Sequence, residues 1–445
     1  MVALPPGPRA PAVVNLAHFA MRPLDALRGW HSRYGDVFTV RFPVFGTGVY
    51  VADPVAIREL FTGDQSDLLA GEANSFMSPV LGSHSVLVLD GQEHLRQRKL
   101  LLPPFQGSRV VGFREVTREV AEREIAGWHP GTRLVLRERM RALTFEVICR
   151  AVFGVTEPTR VERLRAALVA VIDTSPLFML SRFARVDLGP LSPGHRFVRR
   201  MNAADALIME EIARRRREPD LEERTDVLSL LLCARDESGQ PMTDGELRDE
   251  LFTMLGAGHE TTATGLAFAV ELLMRNPAVL SRLRRELDAG DSDAYLDAVV
   301  KETLRLRPVI DAAERTLTQP RTVAGWDLPA GVKVYPGIAL VQMREDIYPR
   351  AQEFRPERFL DEAAESYSWI PFGGGIRRCL GAALAQAEMA EVLRVTVPAV
   401  ELRPVRTRPE PVVLRGVTLA PRYGVQVDIG HVLQPERRPA TATAI

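Results

Sequence analysis

The sequence predicts a mostly helical protein with a smaller β-rich part. Three observations carry that expectation. From Thr243 to Asn276 no proline intervenes, and Leu251, Phe252, Met254, Leu255, Leu266, Phe268, Val270 and Leu272 spread apolar residues over most sides. That stretch is enough for about 34 residues, or roughly 50 Å, of helix running through the core. Phe113 to Phe153 and Arg160 to Val171 repeat apolar residues at helical spacing. Short β-rich runs gather in two places, near residues 37–51 and 315–335.

Taken in order, Val37 to Phe42 and Gly48 to Val51 are separated by turn residues and read as a hairpin. Asp53-Pro54 then starts a helix, with Asp as the cap and Pro at the first helical position. Asp64 to Leu89 reads as irregular and carries Phe76, Met77, Pro79, Val80 and Leu81. So apolar a loop is costly to leave in water, so it is expected to fold over something. Gln92 to Leu102 reads as a helix with His94 and Arg98 four apart on one face. Cys149 is expected to be a packed core thiol. Leu177, Phe178, Met179, Leu180 and Phe183 form an apolar segment before Pro190 and Pro193, and Arg214 to Arg217 reads as a solvated helix end.

Thr243-Asp-Gly-Glu246 has the spacing of a capping box for the long helix. Within that helix Gly256 and Gly258 precede Glu260-Thr261-Thr262. Glycine pairs and Thr side chains weaken a helix locally and can open a groove. His259 follows its own direction, about 100° from Glu260, and reads as structural. Glu302 and Arg305 lie three apart on one helical face. Arg315 to Leu317, Arg321 to Ala324 and Val332 to Tyr335 read as β runs.

The totals exclude several function classes. With 57 basic and 57 acidic residues the formal net charge is zero, so no global basic field argues for nucleic acid. Lysine occurs only at Lys99, Lys301 and Lys333, which reads as genome bias. Three cysteines, Cys149, Cys233 and Cys379, stand far apart without a Cys-x-x-Cys pair. A disulfide framework or zinc site is not expected, and a reducing cytosol fits. The Pro-rich lead-in over residues 1–20 lacks the apolar core of a signal peptide or membrane anchor, and residues 431–445 are expected to form a disordered tail.

The chemistry concentrates at Pro371-Phe-Gly-Gly-Gly-Ile-Arg-Arg-Cys379-Leu-Gly381, followed at once by a helix-like run from Ala382. Glycines let a flat ligand come close. A Cys at a helix start, beside Arg377 and Arg378, is expected to favour the thiolate, a strong ligand for haem iron.

The spacing Phe372-x-x-Gly375-x-Arg377-x-Cys379-x-Gly381 resembles the haem-binding loop of the cytochrome P-450 monooxygenases. Ala257-Gly-His-Glu260-Thr261-Thr262 resembles that family's oxygen-activation motif. Glu302-x-x-Arg305 with Arg355-Pro-Glu-Arg358-Phe resembles its buried ion-pair lock. These motifs occur in family order over roughly residues 20–430.

Length alone suggests about two to three domains. The resemblance instead implies one domain over residues 21–430: mostly α with a smaller β-rich subdomain and a long central helix over the haem. It implies haem b (iron protoporphyrin IX) with Cys379 as iron ligand, and His94, Arg98, Arg315 and Arg377 on its propionates. Ala257, Phe372, Gly373 and Gly381 would complete the haem contacts. Glu260 and Thr261 would govern the two protons that O–O cleavage needs. Glu302, Arg305 and Arg358 would be structural.

Segments that line the substrate pocket in the family place Phe76, Met77, Val80, Leu81, Phe178, Met179, Leu255, Ala257, Val309, Ile310 and Val417 there. Nearly all are apolar, which suits a terpene, fatty acid, steroid or macrolide-like substrate. The sequence gives no basis for placing Asp311. The resemblance further implies O₂ as co-substrate and electrons from a ferredoxin with its reductase, docking over Arg96, Lys99 and Arg378. It implies no membrane anchor and no nucleic-acid partner. Two rivals differ in class: a peroxide-driven haem-thiolate hydroxylase, and a non-enzymatic haem-binding sensor or carrier. Neither needs the Glu260-Thr261 pair.

Overall fold

The central helix is the axis of the molecule. In a computed structural model describing residues 3–432, apart from positions 44, 108, 173–185 and 361–366, it runs Asp244–Arg275 over 32 residues. Its start is the expected capping box. The Thr243 hydroxyl accepts from the Glu246 N–H at 3.2 Å, and the Glu246 carboxylate accepts from the Thr243 N–H at 2.7 Å. Leu251, Phe252, Leu255, Leu266 and Phe268 are fully buried, as an all-round apolar helix must be.

The two glycines do not break this helix, which continues through both. Gly258 instead lets the helix Leu136–Phe153 lie close: a Cβ there would come within 2.2 Å of Ile148 Cδ1. Cys149 is buried on that neighbouring helix, as a core thiol. His259 is buried too, with Nδ1 2.7 Å from the Leu255 carbonyl and its ring edge-on to Phe145.

The expected hairpin forms between Val37–Phe42 and Gly46–Val51. It continues into a five-stranded sheet. Gly46–Val51 pairs parallel with Lys333–Pro336, which pairs antiparallel with Arg315–Leu317, and Leu68–Leu69 closes the edge. Gly48 is a glycine because the Tyr335 ring occupies the place of its side chain. Smaller sheets join Arg133–Val135, Gln426–Val432 and Val400–Pro404, pair Arg321–Val323 with Trp326–Leu328, and form the hairpin Val412–Arg415 with Thr418–Pro421. No described helix is long and apolar enough to cross a membrane.

Several expectations are corrected. The lead-in holds a helix, Ala12–Met21, and the last strand reaches Val432, so the expected tail begins two residues too early. Residues 64–89 are not irregular but a chain of short pieces, including Ala70–Asn74 and Ser78–Leu81. The Arg214–Arg217 run ends its helix with Arg216 and Arg217 exposed, as expected, but Arg215 is not solvated. Arg215 is fully buried and pairs with Asp226, donating also to Ser229 Oγ and the Phe153 carbonyl, each at 2.6 Å. Buried charge of this kind survives only when paired.

Candidate functional site

The loop that carries Cys379 is shaped by its glycines. Gly375 has φ +63°, and a Cβ there would lie 1.9 Å from the Phe61 carbonyl oxygen. The glycine run is therefore needed first for close packing on the end of the helix Pro54–Thr62. Gly373, at φ +67°, has nothing within 4 Å of its would-be Cβ. The Cys379 N–H donates to the Phe372 carbonyl at 3.0 Å, and the helix Ala382–Ala399 follows. Phe372 and Gly381 flank the cysteine in this turn.

Cys379 is exposed yet desolvated by the protein around it, which places it in a recess, the chamber of the site. Burial pushes its thiol up. The Gly381 N–H and the charges of Arg378 and Arg98 act the other way without overcoming it. The arginines pull toward the thiolate as the sequence expects, and burial outweighs them. A bound metal cation would supply the missing charge.

Around the chamber stand His94, Arg98, Arg315 and Arg377. Burial and then the charges of Arg377, Arg98 and Arg315 hold His94 down at about 3, which shows how near the three cations lie. Arg315 and Arg377 are each pushed down to about 10, chiefly by burial. Arg98 donates to the Arg378 carbonyl at 2.8 Å, and Arg315 to the Glu314 carbonyl at 2.7 Å. Arg377 donates to the Leu89 carbonyl at 2.7 Å and pairs with Asp90 at 2.6 Å. The Nε atoms of Arg315 and Arg377 are buried without a partner among the described residues. Cations held at this cost, with donors to spare, suit a ligand carrying carboxylates. Together with a chamber-facing thiol, the donor set fits a haem, whose iron takes a thiolate and whose two propionates take cations.

Ala257 is exposed in the middle of an otherwise buried helix, which marks the face turned to the chamber. The Thr261 hydroxyl donates to the Ala257 carbonyl at 2.6 Å, leaving its oxygen to accept from a further group. Glu260 turns elsewhere. It pairs with Arg137, and its Oε2 lies 2.7 Å from Arg141 Nε. Sequence reasoning missed both arginines, because they come from the neighbouring helix.

The pocket candidates divide. Val80, Leu81 and Leu255 are buried in one cluster with Met77 against it. The Phe76 ring meets Phe45 edge-on at 5.6 Å. The Val309 carbonyl accepts from the Leu419 N–H at 2.7 Å, which brings the hairpin bearing exposed Val417 beside it. Ile310 packs instead on the cluster beneath the five-stranded sheet. Phe178 and Met179 lie outside the described residues. Asp311 accepts from the Tyr50 hydroxyl at 2.9 Å, and burial pushes it up to about 6.

Beneath the Cys loop Glu302 and Arg305 are both 0% exposed and joined by two bonds of 2.7 and 2.8 Å. The Arg355 N–H adds a bond to Glu302 at 2.9 Å, and Arg358 Nε stands at 3.4 Å.

The family model described as Cytochrome P450 matches residues 4–427. Putative cytochrome P450 135B1 of Mycobacterium tuberculosis is 42% identical over 433 residues, 96% of this chain and 92% of that protein. Putative cytochrome P450 135A1 of the same organism is 38% identical over 441 residues, 98% of this chain and 96% of that protein. Among solved structures, retinoic acid-bound cyanobacterial CYP120A1 superposes with a TM-score of 0.83, covering 97% of this chain and 100% of that one. At 24% identity that likeness speaks for the fold alone.

Proposed function

The chain belongs to the cytochrome P450 family, and from that premise we propose the finer reading of a haem b enzyme that oxidises a hydrophobic small molecule in the cytoplasm with electrons from a ferredoxin and its reductase. As a member of that family it is a haem-thiolate monooxygenase that uses O₂, a redox partner and a small-molecule substrate. Bound haem supplies the activation of O₂ and the transfer of one oxygen atom to substrate.

The chain's own residues do the rest. Cys379 gives the sulfur ligand. Arg98, Arg315, Arg377 and neutral His94 hold the two propionates, and Ala257, Phe372, Gly373 and Gly381 leave room for the flat ring. The Thr261 hydroxyl, donating to the Ala257 carbonyl, keeps an oxygen that would accept from a water on the chamber side. For Glu260 to pass a proton toward Thr261, its carboxylate must first leave the Arg137 and Arg141 guanidiniums. Met77, Val80, Leu81, Leu255, Val309 and Val417 supply an apolar wall for a terpene, fatty acid, steroid or macrolide-like substrate. Residues 21–430 act as one domain. Of the docking cations, Arg96 already pairs with Asp236 and Glu246 and Lys99 with Glu237, so Arg378 is the charge left to meet a ferredoxin.

The observation that carries the reading is the chamber-facing thiol beside a buried set of cations with unused donors. Its test is spectroscopic. The dithionite-reduced, carbon monoxide-bound protein is expected to show the red-shifted Soret band of thiolate ligation, and Cys379→Ser to lose it. Absence of the band in the wild type, or its survival in Cys379→Ser, overturns the assignment.

A further inference from the structure

Ahead of its glycines, the central helix is lined with side chains that converge on one neighbour. That neighbour is the segment from Leu81 to Asp90, which carries the end of the expected pocket wall into the helix Gly91–Leu101. Arg248 donates to the Leu81 carbonyl at 3.3 Å. Asp249 accepts from the His84 N–H at 2.9 Å and faces His84 Nδ1 at 3.0 Å. Thr253, whose hydroxyl donates to the Asp249 carbonyl at 2.7 Å, accepts from the Ser85 hydroxyl at 2.8 Å, where Ser85 is fully buried. Glu250, also fully buried, accepts from the Val86 N–H at 2.8 Å. The fit is close: at Gly82, φ +90°, a Cβ would lie 2.0 Å from the Asp249 carboxylate.

The other edge of the same segment is held by Arg377, two residues before Cys379. It donates to the Val86 carbonyl at 3.2 Å and the Leu89 carbonyl at 2.7 Å. Val86 is thus gripped from both sides, its N–H by the helix over the chamber and its carbonyl by the loop under it.

We propose that Asp249, Glu250 and Thr253 are positioning residues that clamp segment 81–87 onto the central helix and so set whether the pocket wall is closed. This rests on the reading of residues 76–81 as pocket wall.

Glu250 makes the clamp sensitive to pH. Burial, then Asp249 and Glu246 on its own helix, raise its carboxyl to about 8, against the lowering effect of the Val86 N–H. The other charges nearby are already engaged. Glu246 holds Arg96 and Gln97, Asp249 holds His84 and Arg248, and Arg248 also reaches Asp205. None of them is spare to neutralise an ionised Glu250. Glu250 Oε2 has no partner among the described residues. The raised value means that the closed clamp binds the proton more tightly than the open one. Closure is therefore fully favoured below the ordinary glutamate range, weakens as pH rises from there to about 8, and changes no further above it.

The experiment is hydrogen–deuterium exchange of the haem-loaded protein, read on peptides covering residues 81–90 and 261–275, each rate divided by its intrinsic value at that pH. In the wild type the corrected exchange of 81–90 is expected to rise between pH 6 and 8, by up to about tenfold per unit, and then level. Glu250→Gln, which keeps an acceptor for Val86, should flatten that rise. Thr253→Val should raise exchange of 81–90 at least about threefold at every pH while 261–275 stays protected. The proposal is overturned if wild type and Glu250→Gln share one pH profile, or if Thr253→Val loosens both regions alike. Neither result depends on the carbon monoxide band, so failure here and failure of the haem-thiolate assignment are told apart. Thr253→Val keeps the clamp testable should Glu250→Gln fail to fold.

Discussion

Two arginines ten positions apart in the chain are both withdrawn from water and are used in opposite ways. Arg305 is 0% exposed, and its guanidinium finds Glu302 twice, the Gln342 carbonyl at 2.8 Å and the Ala351 carbonyl at 2.8 Å. Arg315 is 3% exposed and finds one main-chain carbonyl at 2.7 Å, while its Nε has no partner among the described residues. The first is complete within the protein. The second is a cation held in readiness, and burial shows as a guanidinium pushed down to about 10. Satisfied buried charge marks scaffold, and unsatisfied buried charge of one sign, gathered on a chamber wall, marks a place for a ligand of the other sign.

The comparison breaks most readily at Arg305. Removing one partner of a buried, fully bonded pair leaves an uncompensated charge and costs about 3–5 kcal/mol. Arg305→Leu should therefore leave little folded protein. Arg305→Lys should fare nearly as badly, since one ammonium cannot reach the carboxylate and both carbonyls in the fixed geometry of the fork. Urea denaturation of whatever folded protein remains measures the loss. A decrease under about 1 kcal/mol would put Arg305 in the same class as Arg315.

Arg315→Gln tests the other arm. Loss of a charge-assisted bond to a ligand is worth about 1.5–3 kcal/mol, or roughly tenfold to a hundredfold in affinity. Haem should leave this variant that much more readily, followed in the Soret region as it passes to a haem-free acceptor protein. The haem-free variant should be no less stable than the haem-free wild type, because the buried charge that it lacks forms no ion pair among the described residues and has only the field of Asp90 to set against its burial. Lower stability without haem, with haem retention unchanged, would make Arg315 a scaffold residue.

How much of this was legible in the sequence follows from distance along the chain. The Cys loop, the Thr243–Glu246 capping box, the Asp53-Pro54 helix start and the Glu302–Arg305 pair are each written within a few residues, and each was readable. Arg215 was misread because its acceptors are Asp226 and the distant Phe153 carbonyl. Nothing near Arg214–Arg217 announces either. Glu260 was readable as an acid, but not as one held by Arg137 and Arg141 of another helix. Strands such as Leu68–Leu69 exist only because Leu317 and Thr316 lie opposite, and two residues carry no period of their own. The glycines of the Cys loop were assigned to the ligand when at least Gly375 serves Phe61, a residue that no spacing within the loop could name.

The smallest effect concerns His94, and it separates the two kinds of buried charge by pH. In the haem-free protein burial and the neighbouring guanidiniums hold His94 at about 3, against an ordinary value of 6.5. The unfolded chain therefore takes up a proton first as pH falls. Above about 6.5 both states are neutral at this residue and nothing is at stake. Below it the folded state loses ground, by about 1.4 kcal/mol at pH 5.5 for one proton. His94→Gln should remove that share of the acid sensitivity, measured as the difference in urea stability between pH 7.5 and 5.5. With haem bound as proposed, the propionates would face the same guanidiniums and take up much of the charge that depresses His94. The difference between wild type and His94→Gln should then shrink. Were it to stay the same with and without haem, His94 would be sensing burial alone, and the cations around it would owe nothing to the ligand.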